Sequence, residues 1–257
     1  MALVETRSLV KRFGDFTAVD NISFSVNRGE VVGFLGPNGA GKSTTMKIIS
    51  GFLEPTSGQA FIAGHDSHKD AIAARRHLGY LPEGAPAYPD MSVAQFLNFI
   101  AAMRGLTRAQ ANDRLAELVE RIELKEVWDR RIEALSKGFK RRVGIAQALV
   151  HDPDVLILDE PTDGLDPNQK YEMRELILAL APSKAIVVST HILEEVEAIC
   201  SRALIVARGR MLIDATPAEL MAMSPEAEAH SAPKHETAHH SPLDAVFRHI
   251  TRDHRDH

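Results

Sequence analysis

The stretch VVGFLGPNGAGKSTTMKII, residues 31–49, runs from an apolar segment through a glycine-rich turn into a helical pattern. Val31–Leu35 reads as a buried strand and Ser43–Ile49 as a helix. Between them Gly36-Pro37-Asn38-Gly39-Ala40-Gly41-Lys42-Ser43 matches G-x-x-x-x-G-K-[ST]. Strand, loop and helix in that order bring successive backbone N–H groups and the positive end of the helix to one point, an arrangement that holds phosphates. Side chains bearing a Cβ would block that approach, which accounts for the glycines. The stretch therefore predicts a nucleotide site in which Gly36 through Thr44 cradle the phosphates. Lys42 supplies a point positive charge to the β and γ phosphates, and Ser43 offers its hydroxyl to Mg²⁺.

Such a loop needs a second metal-holding group at the end of a neighbouring strand. Val155-Leu156-Ile157-Leu158-Asp159 is an apolar run ending in a carboxylate, so Asp159 is expected on the metal side. In an extended chain Glu160 would point the other way, leaving it to orient or deprotonate the attacking water. His191 ends a further apolar run, Ile186–Thr190, and is placed to donate to the γ phosphate. An N-K-x-D box is absent from the chain, which argues against a guanine-specific switch.

Composition sets the surroundings. With 257 residues, 44% hydrophobic and 25% charged, the chain is long enough to bury a core and fits neither a disordered nor a fibrous class. Its net charge of −5 provides no overall positive field for nucleic acid or an anionic membrane. Cys200 is the single cysteine, so no internal disulfide forms and a reducing compartment, the cytoplasm, is expected. The apolar runs are far shorter than the roughly 18 residues of a membrane helix, and the first residues lack a secretory signal pattern. A membrane role would come through a partner.

Outward from the loop, Leu3–Leu9, Phe16–Val19 and Ile22–Val26 read as strands of an edge sheet. From Ser92 to His151 the pattern turns helical, opened by two capping boxes, Ser92…Gln95 and Thr107…Gln110. In the second helix Ala111, Leu115, Leu118, Val119 and Ile122 form one apolar stripe. Alternation of strand and helix resumes at Val155, so the helical stretch reads as an insertion in an α/β domain with parallel strands. Thr216-Pro217-Ala218-Glu219 starts one more helix. Residues 224–242, rich in Ala, His, Pro, Glu and Ser, read as a linker, and 243–257 as a short helix and tail. Seven of the twelve histidines lie from His230 onward, with no tetrahedral ligand spacing.

Together these residues resemble the ATP-binding subunit of an ABC transporter over residues 1–222. GPNGAGKS stands where that family has its Walker A loop, LSKGFKRRVGIAQAL its signature, VLILDE its Walker B strand, PTDGLDP its D-loop and STH its switch histidine. The resemblance implies an α/β P-loop NTPase, a RecA-like core with an N-terminal antiparallel β subdomain and an inserted α-helical subdomain at about 88–151, together filling residues 1–223. It implies a dimer in which Ser136, Lys137 and Gly138 face ATP held by the opposite subunit, with the signature helix running Phe139–Leu149. Asp166 would contact the partner's site and Phe13 would stack on adenine. Two positions depart from the family pattern. The signature reads LSKGF where LSGGQ is commonest, and Glu83 in the coupling loop stands where most relatives have a metal-contacting Gln.

These departures, with PTDGLDPNQ and THILEEVEAIC, are similar to the export-type subgroup that includes gliding-motility and multidrug ATPases. The implied function is ATP hydrolysis, with Glu160 and His191 catalytic, ATP and Mg²⁺ bound, and Ser43, Asp159 and Glu83 on the metal. That hydrolysis would power a separate integral membrane permease, most readily an exporter, from the inner face of the cell membrane. The alternative is a soluble ATPase of the same class acting on nucleic acid or ribosomes, whose members usually carry paired cassettes or a long coiled-coil insertion. A regulatory module that binds ATP without hydrolysing it is disfavoured by the presence of Lys42, Asp159, Glu160 and His191.

Overall fold

The computed structural model describes residues 2–223. The expected linker at 224–242 and helix at 243–257 lie outside the described residues. β1 (Val4–Phe13) and β2 (Phe16–Val26) form an antiparallel hairpin. Each is one long strand where the apolar alternation suggested shorter pieces. Ser8 and Asn21 take positive φ of 47° and 57°, the register slips around both, and these bulges break the period of two. β3 (Val31–Leu35) leads through residues 36–41 into α1 (Lys42–Ile49), and β4 (Ser57–Ile62) and β5 (His65–Asp66) return to the hairpin. The result is a four-stranded antiparallel sheet ordered β2-β1-β4-β5.

α2 (Ala71–Arg76) and β6 (Leu78–Leu81) precede the helical stretch of α3 (Val93–Met103), α4 (Arg108–Arg121) and α5 (Lys137–Leu149). Both anticipated capping boxes form: Ser92 Oγ accepts from Gln95 N at 3.2 Å and Thr107 Oγ1 from Gln110 N at 3.4 Å. Ala111, Leu115, Leu118 and Ile122 are buried while Val119 stays half-buried at the edge of the stripe. Then follow β7 (Val155–Asp159), α6 (Pro167–Leu180), β8 (Ala185–Thr190), α7 (Leu193–Ile199), β9 (Arg202–Ala207), β10 (Arg210–Ala215) and α8 (Pro217–Ala222). These strands and β3 and β6 make a six-stranded sheet, β10-β9-β3-β8-β7-β6, parallel except for β10.

Both faces of that sheet are covered, which is why its strands read as unbroken apolar runs. Val32, Phe34, Val155, Ile157 and Val187 pack toward the N-terminal sheet and α1. Leu35, Leu156, Leu158, Ile186 and Val188 pack on the other side, in the core shared with the helical stretch. Truncating Leu158, which has no exposed surface, to Ala would cost about 2–5 kcal/mol through lost transfer energy and a residual cavity. Cys200 closes α7 over β3, its Sγ 2.8 Å from where a Cβ on Gly33 would sit. Burial, with a further push from the Glu195 charge, raises its thiol pKa to about 12. Among the described residues no helix is long and apolar enough to cross a membrane.

The parallel strands end together. The loop after β3, Pro82-Glu83 after β6, Glu160 after β7 and His191 after β8 therefore gather along one edge of the sheet, where open α/β sheets bind ligands.

Candidate active site

The phosphate loop is a backbone cradle held from behind. Gly41 is the N-cap of α1 at φ 101°, with no side-chain cap and no acidic residue in the first turn, so the first-turn amides stay available to an anion. A Cβ on Gly36 would lie 2.2 Å from the Val206 carbonyl oxygen, and one on Gly41 2.3 Å from that of Ala18. Gly209 N donates to Ala40 O at 2.9 Å, and Ala40 N to Pro37 O at 3.1 Å. The Lys42 ammonium is almost fully buried and donates to Gly36 O at 2.7 Å and Pro37 O at 3.3 Å, 3.9 Å from Glu160 Oε1. Burial lowers its pKa, against the opposing pull of Glu160, Asp159 and Glu83.

Asp159 shares the parity of Val155 and Ile157, so its carboxylate faces α1. Ser43 Oγ donates to its Oδ1 at 3.4 Å, and Ser189 Oγ donates to the same oxygen. This all-oxygen pair fits Mg²⁺, which takes one or two carboxylates and completes its shell with water and substrate phosphates. Among the described residues no group of three or more His, Cys, Asp or Glu forms a metal site of its own, in keeping with that sparse donor set.

Glu160 does not reach its place by strand alternation, and that expectation is corrected. β7 ends at Asp159, and Glu160 adopts a left-handed φ of 50°, turning its side chain back over the loop. Its N–H donates to Ser189 O and Oγ, both at 3.1 Å, and its Oε2 lies 3.0 Å from His191 Nδ1. Burial raises the Glu160 pKa, opposed by the His191 hydrogen bond and charge and by Lys42, and reinforced by Asp159. A carboxylate at this position is a stronger base than one in water.

Asn38 through Thr44, Glu83, Glu160, Asp163 and His191 line one cavity of about 480 Å³, within the usual size range of ligand pockets. Glu83 is exposed at its rim. The aromatic wall is Phe16, with Ala18. Phe13 is the cross-strand partner of Phe16, half exposed, with Lys11 Nζ 5.2 Å from its ring centroid.

Ser136 and Gly138 stand elsewhere. They line a separate cavity of about 650 Å³ with Asp166, Asn168 and Gln169. The signature helix begins at Lys137, two residues before the expected Phe139, because Ser136 is its N-cap and accepts from Phe139 N at 3.3 Å. Lys137 turns away from that cavity's lining and pairs with Asp163 at 3.3 Å, over Gly164. Asp166 is the N-cap of α6, accepting from Gln169 N at 2.9 Å with Pro167 at N1, a start signal present in Asp166-Pro167-Asn168-Gln169 that sequence reasoning passed over. Sequence reasoning also missed Thr162 and Glu195, both buried, because a glutamate in the first turn of α7 carries no sign that it faces inward.

The comparisons agree with this geometry. A family model described as ABC transporter matches residues 19–163. The probable multidrug ABC transporter ATP-binding protein YbhF of Escherichia coli is 40% identical over 86% of this chain, which spans 38% of that relative. A Nod factor export ATP-binding protein I from Burkholderia orbicola is 39% identical over 86% of this chain and 73% of its own length. The linearmycin resistance ATP-binding protein LnrL of Bacillus subtilis is 38% identical over 85% and 70%. A solved ATP-binding subunit of an ABC transporter superposes with a TM-score of 0.82 at 30% identity, covering 96% of this chain and 99% of that one. A nucleotide-free ATP-binding cassette superposes at 0.76 with 25% identity, over 86% and 94%.

Proposed function

Because the chain belongs to the ABC transporter family as an ATP-binding domain, we propose that it hydrolyses ATP in a two-subunit sandwich and thereby drives a separate membrane permease of the export type. The observation that carries this reading is the division of the site. Lys42, Glu160 and His191 converge on one cavity, while Ser136 and Gly138 of the same chain open into another. A second copy, or a related subunit, would bring its Ser136 and Gly138 to the phosphates held here. Ser136 Oγ accepts from Phe139 N, and its hydroxyl proton remains free to donate to the γ phosphate.

In this reading the loop amides and Lys42 hold the β and γ phosphates, and the ammonium exchanges its carbonyl partners for phosphate oxygens. Ser43 and Asp159 would hold Mg²⁺, with Glu83 at the rim of the cavity, and the ion would neutralise charge on the phosphates. Glu160 takes a proton from the attacking water, and the Nδ1–H of His191 fixes the carboxylate that receives it. With Nδ1–H given to Glu160, Nε2 donates to the γ phosphate only when the ring carries both protons. Phe16, and Phe13 beside it, supply the aromatic surface for adenine.

A cluster of exposed apolar side chains supports docking of a protein partner such as the permease. Tyr88 and Phe99 meet edge to face with centroids 5.7 Å apart, and Met103 continues along α3 toward α2, which bears Ile72. The test is affinity capture of Glu160→Gln protein from gently solubilised membranes with ATP and Mg²⁺. Co-purification of a polytopic protein supports the reading. Recovery only with ribosomes or nucleic acid replaces it with the soluble alternative.

A further inference from the structure

Glu195 is a carboxylate with about one hundredth of its surface exposed, and it accepts from two threonines. Thr162 Oγ1 donates to its Oε1, and Thr190 Oγ1 donates to its Oε2 at 2.7 Å. Those threonines flank the reacting pair. Thr162 lies two residues beyond Glu160, in a turn where Asp163 N donates to Glu160 O at 3.3 Å. Thr190 immediately precedes His191, and its Oγ1 also accepts from Ile192 N at 3.1 Å, so the hydroxyl straps the backbone on both sides of the histidine. Glu160 and His191 then meet at 3.0 Å. Glu160, Thr162, Glu195, Thr190 and His191 form a closed ring of covalent and hydrogen-bonded links.

We infer that Glu195 is a positioning residue for ATP hydrolysis, holding Glu160 and His191 in register through Thr162 and Thr190. The inference rests on the hydrolytic reading proposed above. Two physical points support it. Glu160 sits in a left-handed conformation that residues other than glycine adopt uncommonly, and the turn that follows is tied down at Thr162. A threonine hydroxyl that donates to a carboxylate has its rotamer fixed, so its lone pair is aimed at Ile192 N; without Glu195 the hydroxyl proton is free to turn elsewhere. The ring also joins the end of β7 to the end of β8 outside their ladder, which reaches only to Asp159 and Ser189. A shift of the segment carrying Asp163 and Asp166 would therefore reach His191 through Glu195.

The experiment uses the full chain and compares Glu195→Ala, Glu195→Gln, Thr162→Val and Thr162→Ser with the wild type, measuring steady-state ATP hydrolysis, nucleotide affinity and thermal unfolding. Wild-type hydrolysis is read first, and its absence would overturn the proposed function together with this inference. Given wild-type hydrolysis, Glu195→Ala and Thr162→Val are expected to lower kcat about tenfold or more, the scale of a catalytic group displaced by a fraction of an ångström, with ATP affinity within about twofold. Thr162→Ser, which keeps the hydroxyl, and Glu195→Gln, which keeps one carbonyl acceptor, recover part of the loss. Folded variants with unchanged kcat overturn the inference. So does a kcat loss that tracks the fall in Tm equally across all four, since that pattern belongs to a merely structural residue.

Discussion

His191 Nδ1 lies 3.0 Å from Glu160 Oε2, although the two residues are 31 positions apart and sit at the ends of different strands. The contact places a proton donor on the carboxylate that is to act as base, and it opposes the burial that raises the Glu160 pKa.

The raised pKa fixes the sign of a pH dependence. With Glu160 as the proposed base, hydrolysis requires it deprotonated, so kcat is expected to fall as the pH drops through a value above the ordinary 4.5 of a glutamate. A pH profile of single-turnover hydrolysis checks this. An acid limb at or below the ordinary value would show that Glu160 is not the base. Glu160→Gln removes the base and keeps the shape, so ATP binding persists, turnover drops by about 10²–10⁴ and ATP-bound dimer accumulates on size-exclusion chromatography.

Lys42→Ala removes a buried ammonium from the phosphate loop. The expected loss is about 1.5–3 kcal/mol of nucleotide affinity, the scale of hydrogen bonds to charged groups, measured by titration with a fluorescent ATP analogue. Undiminished affinity would remove Lys42 from the phosphate contacts.

Phe16 and Phe13 make a divided prediction. Phe16 lines the phosphate cavity and Phe13 does not, although the two are cross-strand partners. Phe16→Ala is therefore expected to weaken ATP more than Phe13→Ala, by an aromatic stacking increment of about 0.5–1.5 kcal/mol. The reverse ranking, in the same titration, would return the base to Phe13.

His151 gives a stability prediction remote from the site. Burial, with the Arg104 charge second, pushes its pKa from 6.5 down to about 4. The unfolded chain then binds a proton that the folded chain refuses. Stability from this group is fully present above pH 6.5 and is lost as the pH falls toward 4, by at most about 3 kcal/mol. His151→Gln flattens that slope in urea denaturation run at several pH values. An unaltered slope would place the acid sensitivity in other groups.

Several parts of this structure were legible from residues alone. The phosphate loop was, because strand, glycines, lysine and helix are contiguous. So were the capping boxes at Ser92, Thr107 and Thr216, since a cap is a contact over three residues. β6 was not read, being only four residues long with Gly79 inside it, nor was β10, a half-exposed edge strand with no clean alternation. Glu160 was expected at the cavity it lines but by the wrong route, because a left-handed residue after a strand leaves no mark when it is not glycine. The Thr162–Glu195–Thr190 contacts lay beyond reach for a different reason. They join segments 33 and five residues apart through side chains whose types, Thr and Glu, are ordinary on a surface.

Cys200 carries a practical consequence. Its thiol is sealed between α7 and Gly33 with a pKa raised to about 12, so almost no thiolate forms at neutral pH and alkylating reagents find nothing to attack in the folded protein. The natural chain already serves as a silent background for site-specific labelling. A cysteine introduced at exposed Ser136 or Asp166 would be the sole reactive position, and a probe there would report subunit closure without any prior removal of the native residue.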